Sequence, residues 1–313
     1  MQRQIITILS FFYFISCSNV DYKPKYKDFE NSWERENLIG KVKTHEQYKA
    51  NVIDFETGET EKPIIEFKKE YTKAGNISYQ EYFDNFGNIE QYVKNEFDNK
   101  GYRTKSVSEN FIMSSKSIET AKYDTLIKKQ VSVHVVYNDT IDFDAFFIYN
   151  QNGNLTEQKS IQDRDTTSNQ FEYKFNDKEE ILLKKQIQNS EYGNSVYLNE
   201  FKYDQNGNLI KLSNKSEFGE SISTYKYDGE NRIKKLTEYT SGQIEKETVF
   251  DEYYNQTLVR FYVSNALHKE MIYEYKFDNT GNWIKRDVFM KEHFGHKKTL
   301  PIYTETRQIE YYE

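Results

Sequence analysis

The segment Phe201-Lys202-Tyr203-Asp204-Gln205-Asn206-Gly207-Asn208-Leu209 recurs, with variations, along most of this chain. An aromatic-polar-aromatic stretch runs into Asp or Asn. Two residues later comes Gly-Asn, and then an apolar residue opens a new stretch. The clearest copies begin at Asp84 (with Gly87), Asn150 (with Gly153), Asp204 (with Gly207) and Asp278 (with Gly281); looser ones cover 73–77, 98–101, 176–181 and 228–233. Internal repetition of this kind fixes the architecture before any single residue is interpreted. The apolar residues that follow the motif, at 155, 181, 209, 233, 258 and 283, are spaced as two short strands and two turns would space them.

Asp or Asn at the first position and Gly at the fourth is the composition of a type I turn. The acidic side chain accepts from backbone N–H groups ahead of it, and Gly takes the left-handed conformation that closes a hairpin with a bulge. The flanks alternate with a period of two: Tyr273, Tyr275 and Phe277 point one way, Glu274 and Lys276 the other. Tyr (27) and Phe (22) are abundant and Pro (3) nearly absent, which suits long uninterrupted sheet. The expected fold is all-β: antiparallel hairpin repeats in a long twisted, partly rolled meander sheet. Its two ends need covering, because bare edge strands aggregate, and the Lys-rich 291–298 stretch stands near one of them. Stability then comes from nearest-neighbour strands, with no distant pairing required.

These motifs resemble the tyrosine-aspartate (YD, or Rhs-type) repeats of bacterial secreted and surface proteins. A closer similarity is to short repeat lipoproteins of Bacteroidota-type bacteria, carried by NLIGKVKTHEQYKAN at 37–51, YEYKFDNTGNWIKR at 273–286 and TETRQIEYY at 304–312. The resemblance covers 37–313 and is weakest between Ser106 and Ile141. It implies a β-repeat fold and is silent about activity, since one fold hosts many functions.

The first residues carry Arg3 and then an apolar run over 5–15, too short to cross a bilayer but suited to a secretory signal. The single cysteine, Cys17, follows immediately in Phe14-Ile15-Ser16-Cys17. That placement resembles a lipoprotein signal, in which the cysteine is diacylated and becomes the new N-terminus. The resulting organisation is a signal peptide at 1–16, a polar tether at 17–36 with one helical turn around Trp33, and a repeat domain at 37–313. Two acyl chains hold a protein stably at a membrane. A net charge of −7 repels phosphate backbones, so nucleic acid is not an expected partner.

No reaction is legible. The repeated Asp supplies one carboxylate per turn, whereas calcium loops need several converging oxygens; neither a metal nor another cofactor is expected. His293 and His296 flank Gly295 in a basic stretch with no third ligand in view. Fifty acidic residues make a pair of the glycosidase type unidentifiable by sequence. Trp283, after the last Gly-Asn, is a core plug before it is a sugar platform. Thr125, Thr140 and Thr166 stand in Asp-Thr-x triplets that resemble Bacteroidota O-glycosylation acceptors. The expectation is a non-enzymatic, lipid-anchored envelope protein, on the periplasmic or surface side of an outer membrane, that binds a glycan or an envelope protein. An immunity-like or accessory partner of an Rhs-type toxin, and a polysaccharide hydrolase, are the alternatives.

Overall fold

A computed structural model of the chain describes residues 32–54, 57, 59–124, 126–162, 165–190, 193–292 and 299–313. The signal region, Cys17, Thr125, His293 and His296 therefore lie outside the described residues, as does most of the Lys-rich stretch. One helical turn, α1 (Ser32–Arg35), precedes β1 (Val42–Asp54), the short β2 (Glu59–Thr60) and β3 (Ile64–Tyr71). The sheet continues through β4 (Ile77–Phe83), β5 (Ile89–Phe97), β6 (Arg103–Asn110), β7 (Ser115–Asp124), β8 (Lys129–Tyr137) and β9 (Ile141–Tyr149). Next come β10 (Leu155–Gln162), β11 (Asp165–Phe175), β12 (Ile181–Ser190), β13 (Gly193–Tyr203), β14 (Leu209–Ser216) and β15 (Gly219–Tyr227). The last six are β16 (Ile233–Thr240), β17 (Gln243–Phe250), β18 (Gln256–Val263), β19 (Ala266–Phe277), β20 (Trp283–Glu292) and β21 (Thr299–Tyr311).

Every pairing is antiparallel between sequence neighbours, with one exception that changes the architecture. β1 pairs with β3 on one side and with β21 on the other, in the register His45 opposite Lys69 and Ile309. The sheet is therefore not an open meander: it closes into a 20-strand β-barrel, β2 being a short appendage of β1. Two bare edges would each leave a row of unpaired backbone groups; pairing them with one another removes both. An even number of strands lets first and last meet antiparallel. The distant pairing that a nearest-neighbour array does not need is thus the one that seals this molecule.

The curl that brings the ends together has a local origin. All nine hairpins at one rim, from β3–β4 to β19–β20, carry a register shift beside the turn. Each such bulge bends its strand and increases the right-handed twist. At Asp204, Oδ1 accepts from the N–H groups of Asn206 (2.9 Å) and Asn208 (2.8 Å), and Gly207 closes the turn at φ +82°. The turns at Asn150 and Asp278 repeat this, with Gly153 at +76° and Gly281 at +99°. Asp84 and Gly87 (φ +81°) build the same turn, but between β4 and β5, and so at the opposite rim.

The tyrosines of the motif also have a job. Tyr203 donates its hydroxyl to the carbonyl of Ile181 (3.0 Å), the residue that reopens the chain after the preceding turn on that rim. Tyr149 to Gln130, Tyr173 to Leu155, Tyr227 to Leu209 and Tyr275 to Gln256 do the same, at 2.7–2.9 Å. Asn95 substitutes for tyrosine at Ile77 (2.9 Å). These six bonds stitch a hairpin to the one before it through a backbone carbonyl beside the bulge; β17 ends in Phe250, which has no hydroxyl to give.

The wall is one layer thick. All seven residues of β4 are partly exposed, on both faces, where a two-layer sandwich would bury one of them. Buried apolar side chains form local clusters instead, such as Tyr225, Ile233, Leu236 and Phe250.

Candidate binding surface on the inner wall

Which face looks inward follows from residues 32–41. The Trp33 N–H donates to the carbonyl of Gly75 (3.2 Å), in the β3–β4 turn, while Asn37 Nδ2 donates to the carbonyl of Tyr253 (2.6 Å), in the β17–β18 turn. Along the wall those turns stand six strands apart, roughly 29 Å at ~4.8 Å per strand. Five residues, most of them in one helical turn, cover that only by cutting across the concave side. The same segment places Glu36 against Lys69 and Tyr71, so the face bearing those side chains is the inner one. Residues 32–36, on the tether side of the expected boundary at 37, are part of this packing.

Directly opposed residues share a face, so the inner face can be followed around the barrel. It runs Tyr303–Val288–Tyr273 across β21, β20 and β19, then Met271–Val259–Thr248–Leu236–Tyr225 into β15. Beyond Tyr225 the inner side chains are mainly uncharged amides and hydroxyls. Ser221 faces Asn214, which faces Asn199; Ser195 faces Gln188, which faces Asn169, which faces Gln158. Gln186 donates to Asn169 (3.0 Å) and Asn214 to Ser221 (3.4 Å), and Asn199 bonds Asn214. Phe171, Tyr197 and Phe201 are interleaved with them at neighbouring inner positions.

The outer face has the opposite chemistry. Glu247, Arg260, Glu270 and Lys291 stand opposite one another across β17–β20, with Arg260 Nε 2.8 Å and Lys291 Nζ 3.6 Å from Glu270. Glu172–Lys185, Glu200–Lys215–Glu220 and Glu46–Lys68 continue the pattern. A barrel that crosses a bilayer turns an apolar band outward; among the described residues the outer wall carries ion pairs there.

Beneath residues 32–41 the inner wall holds a buried ionic cluster. Glu36 accepts from Lys69 Nζ (2.6 Å) and the Tyr71 hydroxyl (2.6 Å), and His45 Nδ1 lies 3.7 Å away. That separation is too long for a hydrogen bond, and both ring nitrogens of His45, itself 1% exposed, lack a bonding partner. Burial pushes the imidazole down to about 4, so it is neutral at neutral pH. Burial alone would raise the Glu36 carboxyl, but His45, Lys69 and Tyr71 outweigh it and hold the group at about 2. Alongside, Arg307 donates to Gln47 (3.2 Å) and lies over the Trp283 ring, 3.5 Å from its centroid; Arg286 forms a two-point pair with Glu305. Burial and the adjacent Arg286 lower the Arg307 guanidinium from its ordinary value, and burial raises the Glu305 carboxyl.

Trp283 is buried (7% exposed) among Tyr275 and the two arginines, the core plug expected of it. The turn residues Asp84, Asn150, Asp204 and Asp278 are engaged by their own turns and do not converge. Thr140 is exposed in the β8–β9 turn and Thr166 exposed on β11 opposite Ile161; they lie in different hairpins. The cluster of Glu36, His45, Lys69 and Arg307 has no local signature. A partial one exists: Glu305 and Arg307 fall in step with Tyr303 and Ile309, at positions where the alternation reserves an inward side chain.

No family model matches the chain, and no curated protein matches it in sequence. Solved structures do. A porin-like protein from Bacteroides uniformis is 12% identical over 86% of this chain and 96% of that one, with a TM-score of 0.36. A TcdB2-TccC3-Cdc42 complex is 13% identical over 74% of this chain, TM-score 0.34, and the match spans only 13% of its chain. The Photorhabdus luminescens Tc holotoxin pore is 12% identical over 80% of this chain and 18% of its own, TM-score 0.26. Scores this low carry no functional argument.

Proposed function

We propose that the protein is a non-enzymatic binding shell of the cell envelope whose inner wall takes a neutral glycan. The observation that carries this is the division of the wall across β10–β15: charged pairs outward, and inward amides and hydroxyls with interleaved aromatics, Lys184 lying over the Phe171 ring. Amides pair two-point with sugar hydroxyls, and aromatic rings stack on the apolar faces of pyranose rings. A charged outer wall belongs in water, so the barrel stands beside a membrane and does not cross one. Cys17, if lipidated, supplies the attachment. The YD-like turns are scaffold in this reading, and the buried carboxylates Glu36 and Glu305 are committed to cations, which speaks against a hydrolase.

Titration of the purified chain with neutral oligosaccharides tests it. Asn199→Leu combined with Gln186→Leu is expected to weaken binding at least tenfold, while Lys215→Ala on the outer wall leaves it unchanged. Selection of a toxin polypeptide over every glycan in a pull-down would replace this reading with the accessory-protein one. The anchor is a separate matter: fatty-acid labelling lost in Cys17→Ala supports it, and equal labelling removes it.

A further inference from the structure

We propose that residues 32–41 are a releasable strap, and that Glu36 occupies a carboxylate-binding site on the inner wall which the strap caps from within. The site is built from two neighbouring strands and completed by a third. Lys69 and Tyr71 on β3 hold the carboxylate oxygens at 2.6 Å each, and His45 on β1 faces it at 3.7 Å. Arg307 on β21 lies at the back, in the adjoining register position of the same face, and Gln47 holds its Nε at 3.2 Å. Lys69 and Tyr71 converge on one anion, and that anion is a side chain from outside the barrel strands; Glu305, the neighbouring carboxylate on β21, is held by Arg286.

The strap's other attachments lie along the rim, outside the ionic cluster. They include the Trp33 and Asn37 contacts to turn carbonyls, the Trp33 indole N–H donating to the Val42 carbonyl (2.9 Å), the Ser32 hydroxyl accepting from the Ile77 N–H (3.1 Å), a reciprocal pair between Ile39 and Asn282 (2.8 and 2.7 Å), and the Tyr312 N–H donating to the Lys41 carbonyl (2.8 Å). Leu38 and Trp33 add an apolar contact with Val42 and Tyr71. Only the Lys41–Tyr312 bond adjoins a strand pairing, at the end of the seam: the barrel closes through β1 and β21 without residues 32–40. Withdrawing Glu36 would take from Lys69 the carboxylate it holds and leave Arg307 only Glu305, which Arg286 already engages, a state that calls for a replacement anion of the same shape. A carboxylate-bearing ligand meets that need, and its arrival and the strap's departure are one exchange. This inference is independent of the neutral belt on β10–β15, which lies elsewhere on the wall.

The experiment uses the full chain and two variants. In Glu36→Gln, amide hydrogen exchange over 32–41 is expected to quicken at least tenfold, with the amides of β13–β15 as protected as in the wild type. In Glu36→Ala, the melting temperature is expected to fall by several degrees. Acetate or glucuronate then restores it in a saturable way, whereas glucose, and chloride at equal ionic strength, do not. Unchanged exchange of the strap in Glu36→Gln overturns the proposal, because Glu36 is then no latch. Equal loss of protection in the barrel overturns it too, because the segment is then part of the folding core. So does a Glu36→Ala variant that carboxylates do not rescue.

Discussion

The two rims of the barrel close the same kind of hairpin in different ways. At one rim eight of the nine turns spend five residues, begun by Asp, Asn or, at 72, Thr, and every hairpin there carries a bulge. At the other, short turns such as Asn138-Asp139-Thr140 and Ser264-Asn265 put two successive residues at positive φ, and five of the nine hairpins there carry no register shift. The tyrosine stitches, the strap and the buried ionic cluster all belong to the long-turn rim. Exposed apolar tips occur at both rims: Phe86, Ile112, Met113 and Phe218 at the short-turn rim are 64–88% exposed, and Leu126 at the long-turn rim is 91% exposed. The difference teaches that the repeat serves mainly one rim, the Asp84 turn being its copy on the other. Curvature and buried polar chemistry are concentrated there, and the other rim merely returns the chain.

Four perturbations bear on that contrast. Arg307→Leu strikes the cluster under the strap and leaves Glu36 and Glu305 short of a buried cation; it should cost about 3–5 kcal/mol in urea unfolding, against less than about 0.5 for the exposed Lys116→Ala near the other rim. Acid comes next. His45 titrates at about 4 in the fold against an ordinary 6.5, so the unfolded chain takes up the proton first. Its contribution is whole above pH 6.5 and is lost as pH falls toward 4, worth about 3 kcal/mol. Glu36, at about 2 against 4.5, contributes above pH 4.5 and loses that contribution as pH falls toward 2. A pH–stability curve should show both limbs, and His45→Phe should flatten the upper one.

Third, removing a stitch by Tyr203→Phe or Tyr227→Phe should cost about 1–2 kcal/mol each, with Tyr239→Phe on the short-turn side near zero. Smallest are the turns themselves. Gly153→Ala meets open space but keeps a left-handed φ, for a loss of about 1–2 kcal/mol. Glu179, held at φ +61° in the equivalent place, should gain up to about 1 kcal/mol as Gly. Equal effects at matched positions of the two rims would erase the distinction drawn here.

Much of the long-turn rim was legible because its signals are local. Asp204 and Gly207 act within four residues of one another, so spacing alone reveals them. The turn at Asp251 was harder to see, since Tyr254 takes the left-handed place (φ +63°) that Gly fills elsewhere. The rim to which a turn belongs is not encoded locally, which is why Asp84 looks like its counterparts and sits opposite them. Closure and the ionic cluster were hidden for one reason: both join residues such as Gln47 and Arg307, 260 positions apart, and a charged residue in an alternating strand reads as solvent-facing until its neighbours are known.

The seam between β1 and β21 makes the order of synthesis matter. While the ribosome is still working, the first strand can recruit β3 but not its second companion, and the growing sheet trails a free margin for almost the entire length of translation. A nonsense codon anywhere before β21 would therefore do more than shorten the product. It would strand two sticky margins that the intact molecule never shows, and insoluble protein should be the outcome even when most hairpins are sound.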